Sequence, residues 1–418
     1  MATIRAVKWE AESFAEVEAE AVGLSTGRLG RLGAALQNGV DTGEIPGAIA
    51  LIMRDGKIGY RQCFGFRDRE AKAPMQADAI FRIASMTKPI VSLAVMMLVE
   101  EGRIQIGYPA SRWLPELADL KVAIEDRPSA DAIGVAVEPM RREITVQDLL
   151  RHTSGLSYGF MGESPVHKLY MRRDPMNRNL TNAEAVARLA EIPLRFQPGT
   201  TWEYSVATDV LGRLVEVVSG QPLDAFIAER ITGPLGMTDT GFWVPDDKKH
   251  RLAQAQVVAA TGKRPAMIDV DTKPKRLGGG GGLVSTTADY ARFCQMLLNG
   301  GEIDGTRFVS RKTLDWMTAD HLNPEIVTSP AARERIKSMS PGAANGLGFG
   351  LGFGVRVAQG RNVLPGSVGD YFWAGSQGTC FWIDPKERLF AVFMMQAPEE
   401  REHYRILMRE LVYQAVVD

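Results

Sequence analysis

A serine and a lysine stand three residues apart where an apolar helix is predicted to begin. Ser85 is at the start of this helix, which is predicted to run to Glu101, and Lys88 follows one turn later. Side chains three apart share a helix face, with Cβ atoms about 5–6 Å apart, so the amine can reach the hydroxyl. A serine hydroxyl becomes a nucleophile when a neighbouring group accepts its proton. A lysine does this only where its surroundings favour the uncharged amine, so the pattern predicts a nucleophilic serine in a specialised site.

Two later segments carry groups that such a serine requires. Tyr204 precedes a predicted helix over residues 205–219, where its phenol can share a proton with Lys88 and Ser85. Ser376 follows a Trp-Ala-Gly stretch at a predicted strand edge. The backbone N–H groups of Ser85 and Ser376 are the candidate donors of an oxyanion hole, where losing one donor costs about 3 to 4 kcal/mol. Each segment alone is more typical of a capped helix, a packing tyrosine or an ordinary strand.

Strand patterns lie at both ends of the chain. An Asp-Gly turn between residues 47–53 and 57–66 predicts a β-hairpin. Residues 378–383 and 389–395 form a second strand pair around an Asp-Pro-Lys-Glu turn. Apolar residues alternate with glycines over residues 346–355, which predicts one further strand.

Helices and loops dominate the middle of the chain. We therefore predict an α/β (α+β) fold, in which an antiparallel sheet is flanked by helices and carries a mostly helical insertion domain. Residues 1–84 and 283–418 would form the sheet domain, and residues 85–282 the helical one. The active cleft is expected between them, because pockets favour domain junctions.

Composition narrows the function classes. Of 418 residues, 49 are Lys or Arg and 50 are Asp or Glu, so a net charge of −1 argues against a nucleic-acid partner held by a basic field. The three cysteines and five histidines show no metal-binding spacing, and we expect neither metal nor cofactor. No apolar run is long enough for a membrane span, and no leader pattern is visible, so we expect a soluble cytoplasmic enzyme with a small-molecule partner. The oligomeric state is left open.

Together the segments resemble the serine penicillin-recognising enzymes, and most closely the family VIII carboxylesterases related to class C β-lactamases. Further matching motifs are His152-Thr153-Ser154-Gly155-Leu156, Gln197-Pro198-Gly199, Tyr204-Ser205 with Asp209-Val210-Leu211-Gly212, and Gly281-Gly282-Leu283. The resemblance spans roughly residues 25–415 and implies a β-lactamase/transpeptidase-like fold. It implies that Ser85 is the nucleophile, that Lys88 and Tyr204 form the base, and that the N–H of Ser376 completes the oxyanion hole.

Two departures from the lactamase pattern indicate the substrate. Residues 373–375 are Trp-Ala-Gly where lactamases of this type have Lys-Thr-Gly, and residues 204–206 are Tyr-Ser-Val in place of Tyr-x-Asn. The lost lysine and asparagine would have bound the carboxylate and the acylamino group of a β-lactam. We therefore expect neutral esters with short-to-medium acyl groups, cleaved through an acyl-enzyme. Four residues are expected to line the substrate pocket: Trp373, Gly375, Tyr158 and Phe160.

Other functions stay open. A β-lactamase, a D-amino-acid peptidase or an acyltransferase could use the same scaffold, and a non-catalytic binding protein could keep the fold. Residues 155–159 also fit Gly-x-Ser-x-Gly, which would make Ser157 the nucleophile. That motif requires a preceding strand, whereas residues 144–151 are predicted to be helical.

Overall fold

The computed structural model describes residues 14–129 and 134–418. Its strands are β1 Gly47–Arg54, β2 Lys57–Asp68, β3 Ala73–Pro74, β4 Phe81–Arg82, β5 Lys121–Pro128, β6 Val135–Pro139, β7 Thr201–Trp202, β8 Val284–Ser285, β9 Glu302–Ile303, β10 Thr306–Arg307, β11 Val327–Thr328, β12 Leu347–Phe349, β13 Gly354–Arg356, β14 Tyr371–Ala374, β15 Cys380–Asp384 and β16 Leu389–Met395. Its α-helices are α1 Thr26–Asp41, α2 Thr87–Glu100, α3 Val146–Leu150, α4 Pro165–Arg173, α5 Asn182–Leu189, α6 Ala207–Ser219, α7 Leu223–Ile227, α8 Thr287–Leu298, α9 Arg311–Met317, α10 Pro330–Arg335 and α11 Arg401–Tyr413.

One large antiparallel sheet joins the two ends of the chain. Its strand order is β12-β13-β14-β15-β16-β1-β2-β3. The junction is the β1–β16 pair, in which Ile49 lies opposite Met394. Every residue of these two strands is buried, because helices cover both sheet faces. The predicted mixed fold with an antiparallel sheet and flanking helices is confirmed, whereas the domain boundaries stay a prediction.

Local signals placed several elements correctly. Asp55 and Gly56 form the turn between β1 and β2 with φ values of 53° and 73°, the left-handed pair that a two-residue hairpin favours. The Ser25 side chain caps α1 by accepting a hydrogen bond from the N–H of Arg28. Thr286 caps α8 in the same manner.

The segment in which apolar residues alternate with glycines has a different structure from the predicted single strand. Residues 346–355 form a hairpin of two short strands, β12 and β13, and not one strand. The chain reverses because Gly352 takes a φ of 103°, and the N–H of Gly350 donates to the carbonyl of Phe353 at 2.8 Å. The hairpin β5–β6 in the middle of the chain was also missed by the sequence prediction.

Helix α2 carries the predicted nucleophile motif into the core. A short 3₁₀ turn, Ala84–Met86, precedes it, and residues 87–98 are all buried. Ser85 lies on this turn and Lys88 on the first turn of α2, as predicted. Across the part of the chain that the structure describes, no helix combines the length and apolar character needed to span a membrane.

Candidate active site

A cavity of about 660 Å³ opens beside the start of α2. It brings together residues that are far apart in sequence, and those predicted from the sequence are Ser85, Tyr158, Phe160, Tyr204, Trp373 and Ser376. Gly375 lies just beneath this lining, since a Cβ on it would come within 2.3 Å of the carbonyl oxygen of Ile83. The predicted residues therefore meet around one space, with Gly375 supporting its wall.

The Lys88 amine is the centre of the site. Its Nζ lies 3.2 Å from Ser85 Oγ, 3.1 Å from Tyr158 Oη and 2.6 Å from the carbonyl oxygen of Gly280. The Lys88 side chain is 1% exposed. Because a carbonyl oxygen only accepts, one N–H of Lys88 donates to Gly280, which fixes the direction of the amine toward Ser85.

The backbone around Ser85 is strained and held on both sides. Ala84, the preceding residue, takes a φ of 45°, a left-handed conformation that is costly outside glycine. The N–H of Ile83 donates to the carbonyl of Leu283 at 3.1 Å, and the hydroxyl of Tyr290 donates to the carbonyl of Met86 at 2.9 Å. These bonds keep the Ser85 hydroxyl at the cavity surface.

Tyr204 contacts Lys88 through its ring. Nζ of Lys88 lies 4.6 Å from the ring centroid, within cation–π range. The ring is enclosed by His152, Tyr158 and Trp373, with centroid distances of 5.1, 5.4 and 5.4 Å. The structure therefore places Tyr204 against the predicted base, while the direct phenol partner of Lys88 is Tyr158. A base pair of Lys88 and Tyr204 stays a prediction.

Tyr158 contacts Lys88 directly, which the sequence did not reveal. Burial, followed by the neighbouring Tyr204 and Asp209, raises its pKa well above the ordinary value for a phenol. Tyr158 therefore stays a neutral phenol at physiological pH, and its oxygen accepts a hydrogen bond from the Lys88 amine. Phe160 stacks on it at 4.8 Å and is 58% exposed at the cavity edge. The only signal for Tyr158 in the sequence was its position two residues after the motif at 152–156.

The glycine loop at residues 278–282 packs against Lys88. A Cβ on Gly280 would lie 2.2 Å from Asp209 Oδ2 and 3.0 Å from Tyr158 Oη, so a larger residue would displace these side chains or the loop. Asp209 itself is held by Arg276 at 2.7 Å. The close approach lets the Gly280 carbonyl reach Lys88. The sequence analysis did not predict this contact between Gly280 and Lys88.

The family of the chain follows from comparison with known sequences. The sequence model of the Beta-lactamase family matches residues 32–413. The chain belongs to the beta-lactamase family. Esterase EstB of Burkholderia gladioli is 41% identical over 214 residues, which cover 51% of each chain. A lovastatin esterase of Penicillium rubens is 30% identical over 385 residues, covering 86% of this chain and 91% of the relative.

A solved structure extends this likeness to the whole fold. The structure titled "EstCE1, a hydrolase with promiscuous acyltransferase activity" superposes with a TM-score of 0.73 at 26% identity, covering 92% of this chain and 98% of that one. The predicted resemblance to β-lactamase-related esterases is confirmed. This beta-lactamase family member thus has esterases among its relatives, which fits the serine–lysine site just described.

A buried carboxylate anchors the segment before Tyr204. Glu203 is fully buried and accepts hydrogen bonds from Arg195 and Ser157, both at 2.8 Å, and from Ser329. Burial favours the neutral acid, but hydrogen bonds from His167 and Ser329 and the charge of Arg195 hold the pKa of Glu203 below its ordinary value. The carboxylate is therefore charged, and it ties Tyr204 to three other segments.

Ser157 is part of that anchor and does not line the cavity. Its side chain is fully buried, and its hydroxyl donates to Glu203. Helix α3 precedes the Gly-x-Ser-x-Gly segment and a 3₁₀ turn, Gly159–Met161, follows it, so the strand–turn–helix of a nucleophile elbow does not form. The geometry therefore favours Ser85, and not Ser157, as the candidate nucleophile.

His152 positions aromatic rings and stays uncharged. Its Nδ1 lies 3.1 Å from Ser205 Oγ, and its ring packs edge-on against Phe349 at 5.4 Å. Burial, followed by the neighbouring Lys88 amine, holds the pKa of His152 well below its ordinary value. Within the described residues no group of three His, Cys, Asp or Glu side chains could hold a metal ion.

A tight turn after β14 presents Ser376 at the opposite wall. The N–H of Gly375 donates to the carbonyl of Thr379 at 2.8 Å, and the N–H of Gly378 donates to the carbonyl of Gly375 at 3.1 Å. Arg405 of α11 also donates to the carbonyl of Gly375, at 2.5 Å. These bonds fix the turn while Ser376 remains exposed to the cavity. Its role in an oxyanion hole stays a prediction.

Proposed function

We propose that this protein is a carboxylesterase that hydrolyses neutral esters through an acyl-enzyme on Ser85. The observation that carries this is the placement of Lys88 Nζ 3.2 Å from Ser85 Oγ, at the wall of a cavity of about 660 Å³. A buried amine directed at a hydroxyl that lines a cavity is the arrangement that makes a serine nucleophilic. The esterase relatives agree with it.

In acylation, Lys88 accepts the Ser85 proton as Oγ attacks the ester carbonyl carbon. The carbonyl π-bond opens to an oxyanion, which the N–H groups of Ser85 and Ser376 would bind. When the tetrahedral intermediate collapses, the bond to the alcohol oxygen breaks. The leaving alcohol takes the proton from Lys88 through the phenol of Tyr204, and Tyr158 keeps the amine oriented.

Deacylation repeats these steps with water. The amine of Lys88 accepts a proton from water as the water oxygen attacks the acyl carbon. The bond between that carbon and Ser85 Oγ then breaks, the carboxylic acid leaves, and Lys88 returns the proton to Ser85 Oγ. An alcohol in place of water would give acyl transfer instead of hydrolysis. The similarity to EstCE1, a hydrolase with promiscuous acyltransferase activity, makes acyl transfer the second candidate function.

The lining of the cavity supports a neutral, apolar ester. Apolar side chains contribute much of the wall: Phe160, Met161, Met176, Ile268, Met339 and Trp373. Two of the arginines at the wall are paired with carboxylates, since Arg276 pairs with Asp209 and Arg178 pairs with Asp269 at 2.6 Å. The position where lactamases carry a lysine is Trp373, which offers a ring and no charge.

Active-site labelling tests the proposal. A fluorophosphonate probe followed by peptide mapping is expected to label Ser85, and Ser85→Ala is expected to abolish both labelling and hydrolysis of p-nitrophenyl butyrate. Ser157→Ala is the matched control, which should retain labelling at Ser85. Labelling of Ser157, or hydrolysis that survives Ser85→Ala, would refute the mechanism. Faster turnover of nitrocefin than of every ester tested would refute the substrate class.

A further inference from the structure

A second cavity lies behind the ring of Phe242. It measures about 290 Å³, and Phe242 lines both this space and the active-site cavity. The ring is 2% exposed. Because the same side chain borders both spaces, it acts as a partition between them.

This partition stands next to the nucleophile. The Phe242 ring packs on the glycine loop, since a Cβ on Gly282 would lie 2.9 Å from Phe242 Cδ1. The neighbouring Gly281 faces Ala84, where a Cβ would lie 3.6 Å from the Ala84 carbonyl carbon. Ala84 directly precedes Ser85. A chain attached to Ser85 and directed along this loop would therefore end against the Phe242 ring.

The lining of the second cavity suits hydrocarbon. Five of its aliphatic residues are at most 2% exposed: Ile80, Ile227, Val244, Leu283 and Val284. Among its charged residues, Lys248 and Asp239 neutralise each other at 2.7 Å. An apolar cavity of about 150 Å³ accepts a benzene-sized guest, so this larger space has room for several methylene groups.

We propose that the second cavity is a subsite for the distal end of a linear aliphatic acyl chain, and that Phe242 closes it off and so sets the longest acyl group accepted. The inference rests on the proposed ester hydrolysis at Ser85. In the wild-type enzyme the acyl tail ends at the ring, which matches a short-to-medium acyl preference. Removal of the ring joins the two spaces and lets a longer tail bury its methylene groups.

The test compares acyl lengths within each variant. For p-nitrophenyl esters from acetate to myristate, Phe242→Ala is expected to raise the ratio of kcat/KM for laurate to that for butyrate at least tenfold. Phe242→Leu, which removes less volume and is better tolerated in a core, is expected to raise the same ratio to an intermediate value. Circular dichroism melting curves verify that each variant is folded.

A filling variant tests the second cavity itself. Ala228 is exposed and lines that cavity, so Ala228→Phe in the Phe242→Ala background should block it and return the laurate-to-butyrate ratio to the wild-type value. A ratio that stays high in this double variant would overturn the subsite. A length effect on the alcohol side, measured with acetate esters of rising alcohol length, would overturn its assignment to the acyl tail.

The two proposals fail in different ways. If wild-type Ser85 is labelled by fluorophosphonate but folded Phe242→Ala and Phe242→Leu keep the wild-type length profile, the partition is refuted and the esterase stands. If wild-type Ser85 is not labelled and no ester is hydrolysed, the proposed function itself has failed.

Discussion

Lys88 donates to the backbone carbonyl of Gly280 at 2.6 Å, across 192 residues of sequence. This contact restricts how the amine is oriented, because it uses one N–H of Lys88 while Nζ lies 3.2 Å from Ser85 Oγ. Gly280 lies in a run of five glycines, and its carbonyl thus becomes a supporting group of the proposed base.

Gly280→Ala is therefore expected to damage catalysis. The new Cβ would lie 2.2 Å from Asp209 Oδ2 and 3.0 Å from Tyr158 Oη, which forces the loop to shift and withdraws the carbonyl from Lys88. We expect kcat for p-nitrophenyl butyrate to fall about 10- to 100-fold with little change in melting temperature, as is typical when a catalytic base is misplaced.

Gly281→Ala is the matched control for this loop. Its Cβ would meet its nearest neighbour, the Ala84 carbonyl carbon, at 3.6 Å, an ordinary contact. We expect a smaller loss of kcat than for Gly280→Ala. Equal losses in the two variants would contradict the specific role of the Gly280 carbonyl.

The two phenols near Lys88 are expected to differ in effect. Tyr158→Phe removes the group 3.1 Å from Nζ, and Tyr204→Phe removes the predicted proton carrier while keeping the ring that packs 4.6 Å from Nζ. Loss of a group that transfers a proton typically costs about 10² to 10⁴ in rate. We expect kcat to fall by that factor in Tyr204→Phe, and by a smaller factor of about tenfold in Tyr158→Phe.

Steady-state kinetics over pH 6 to 9 measure these effects. A larger kcat loss in Tyr158→Phe than in Tyr204→Phe would exchange the two roles. That result would make Tyr158 the proton carrier, as its direct hydrogen bond to Lys88 allows.

Glu203→Gln is expected to destabilise the fold strongly. The variant leaves Arg195 without a fully buried partner and weakens the bonds to Ser157 and Ser329. Breaking a buried ion pair costs about 3 to 5 kcal/mol. Urea unfolding measures this loss of unfolding free energy.

Glu125→Gln is a graded control for that anchor. Glu125 also pairs with Arg195, at 2.9 Å, but its side chain is 29% exposed. Solvent screens such a contact, so we expect a loss of about 1 kcal/mol or less. The anchor role would be wrong if both glutamate variants unfolded at the same urea concentration.

The raised pKa of Asp289 predicts that the stability of the fold depends on pH. This residue of α8 is buried and accepts hydrogen bonds from the Thr240 hydroxyl and the Asp239 N–H, both at 2.8 Å. Burial is the largest cause that raises its pKa from 3.8 to about 6. Because the folded state binds the proton more tightly, this group's stabilising contribution is complete below pH 3.8 and is lost as the pH rises through about 6.

Asp289→Asn isolates this effect from other carboxylates. Between pH 4 and pH 7, the wild type is expected to lose about 2 kcal/mol of unfolding free energy relative to the variant, which is most of the effect of a pKa shift of about two units. Urea unfolding of both proteins across this range measures the difference. A constant difference at all pH values would contradict the raised pKa.

Local sequence patterns were enough to predict part of the candidate site. The spacing of Ser85 and Lys88 placed both on one helical turn, because an α-helix repeats every 3.6 residues. The hairpin at Asp55 and Gly56 followed from turn chemistry in the same local manner. Segments 346–355 and 121–139 were mispredicted, because a glycine reversal and short edge strands leave only a weak local pattern.

Tertiary structure decided which groups complete the base and where the substrate space ends. Tyr158 and Gly280 reach Lys88 from segments 70 and 192 residues away, and Phe242 comes to separate two cavities. No local period encodes such contacts, because they depend on how the helices pack against the sheet. The sequence by itself thus determined the nucleophile motif and the sheet-forming ends, whereas only the packed chain decided the orientation of the amine and the depth of the pocket.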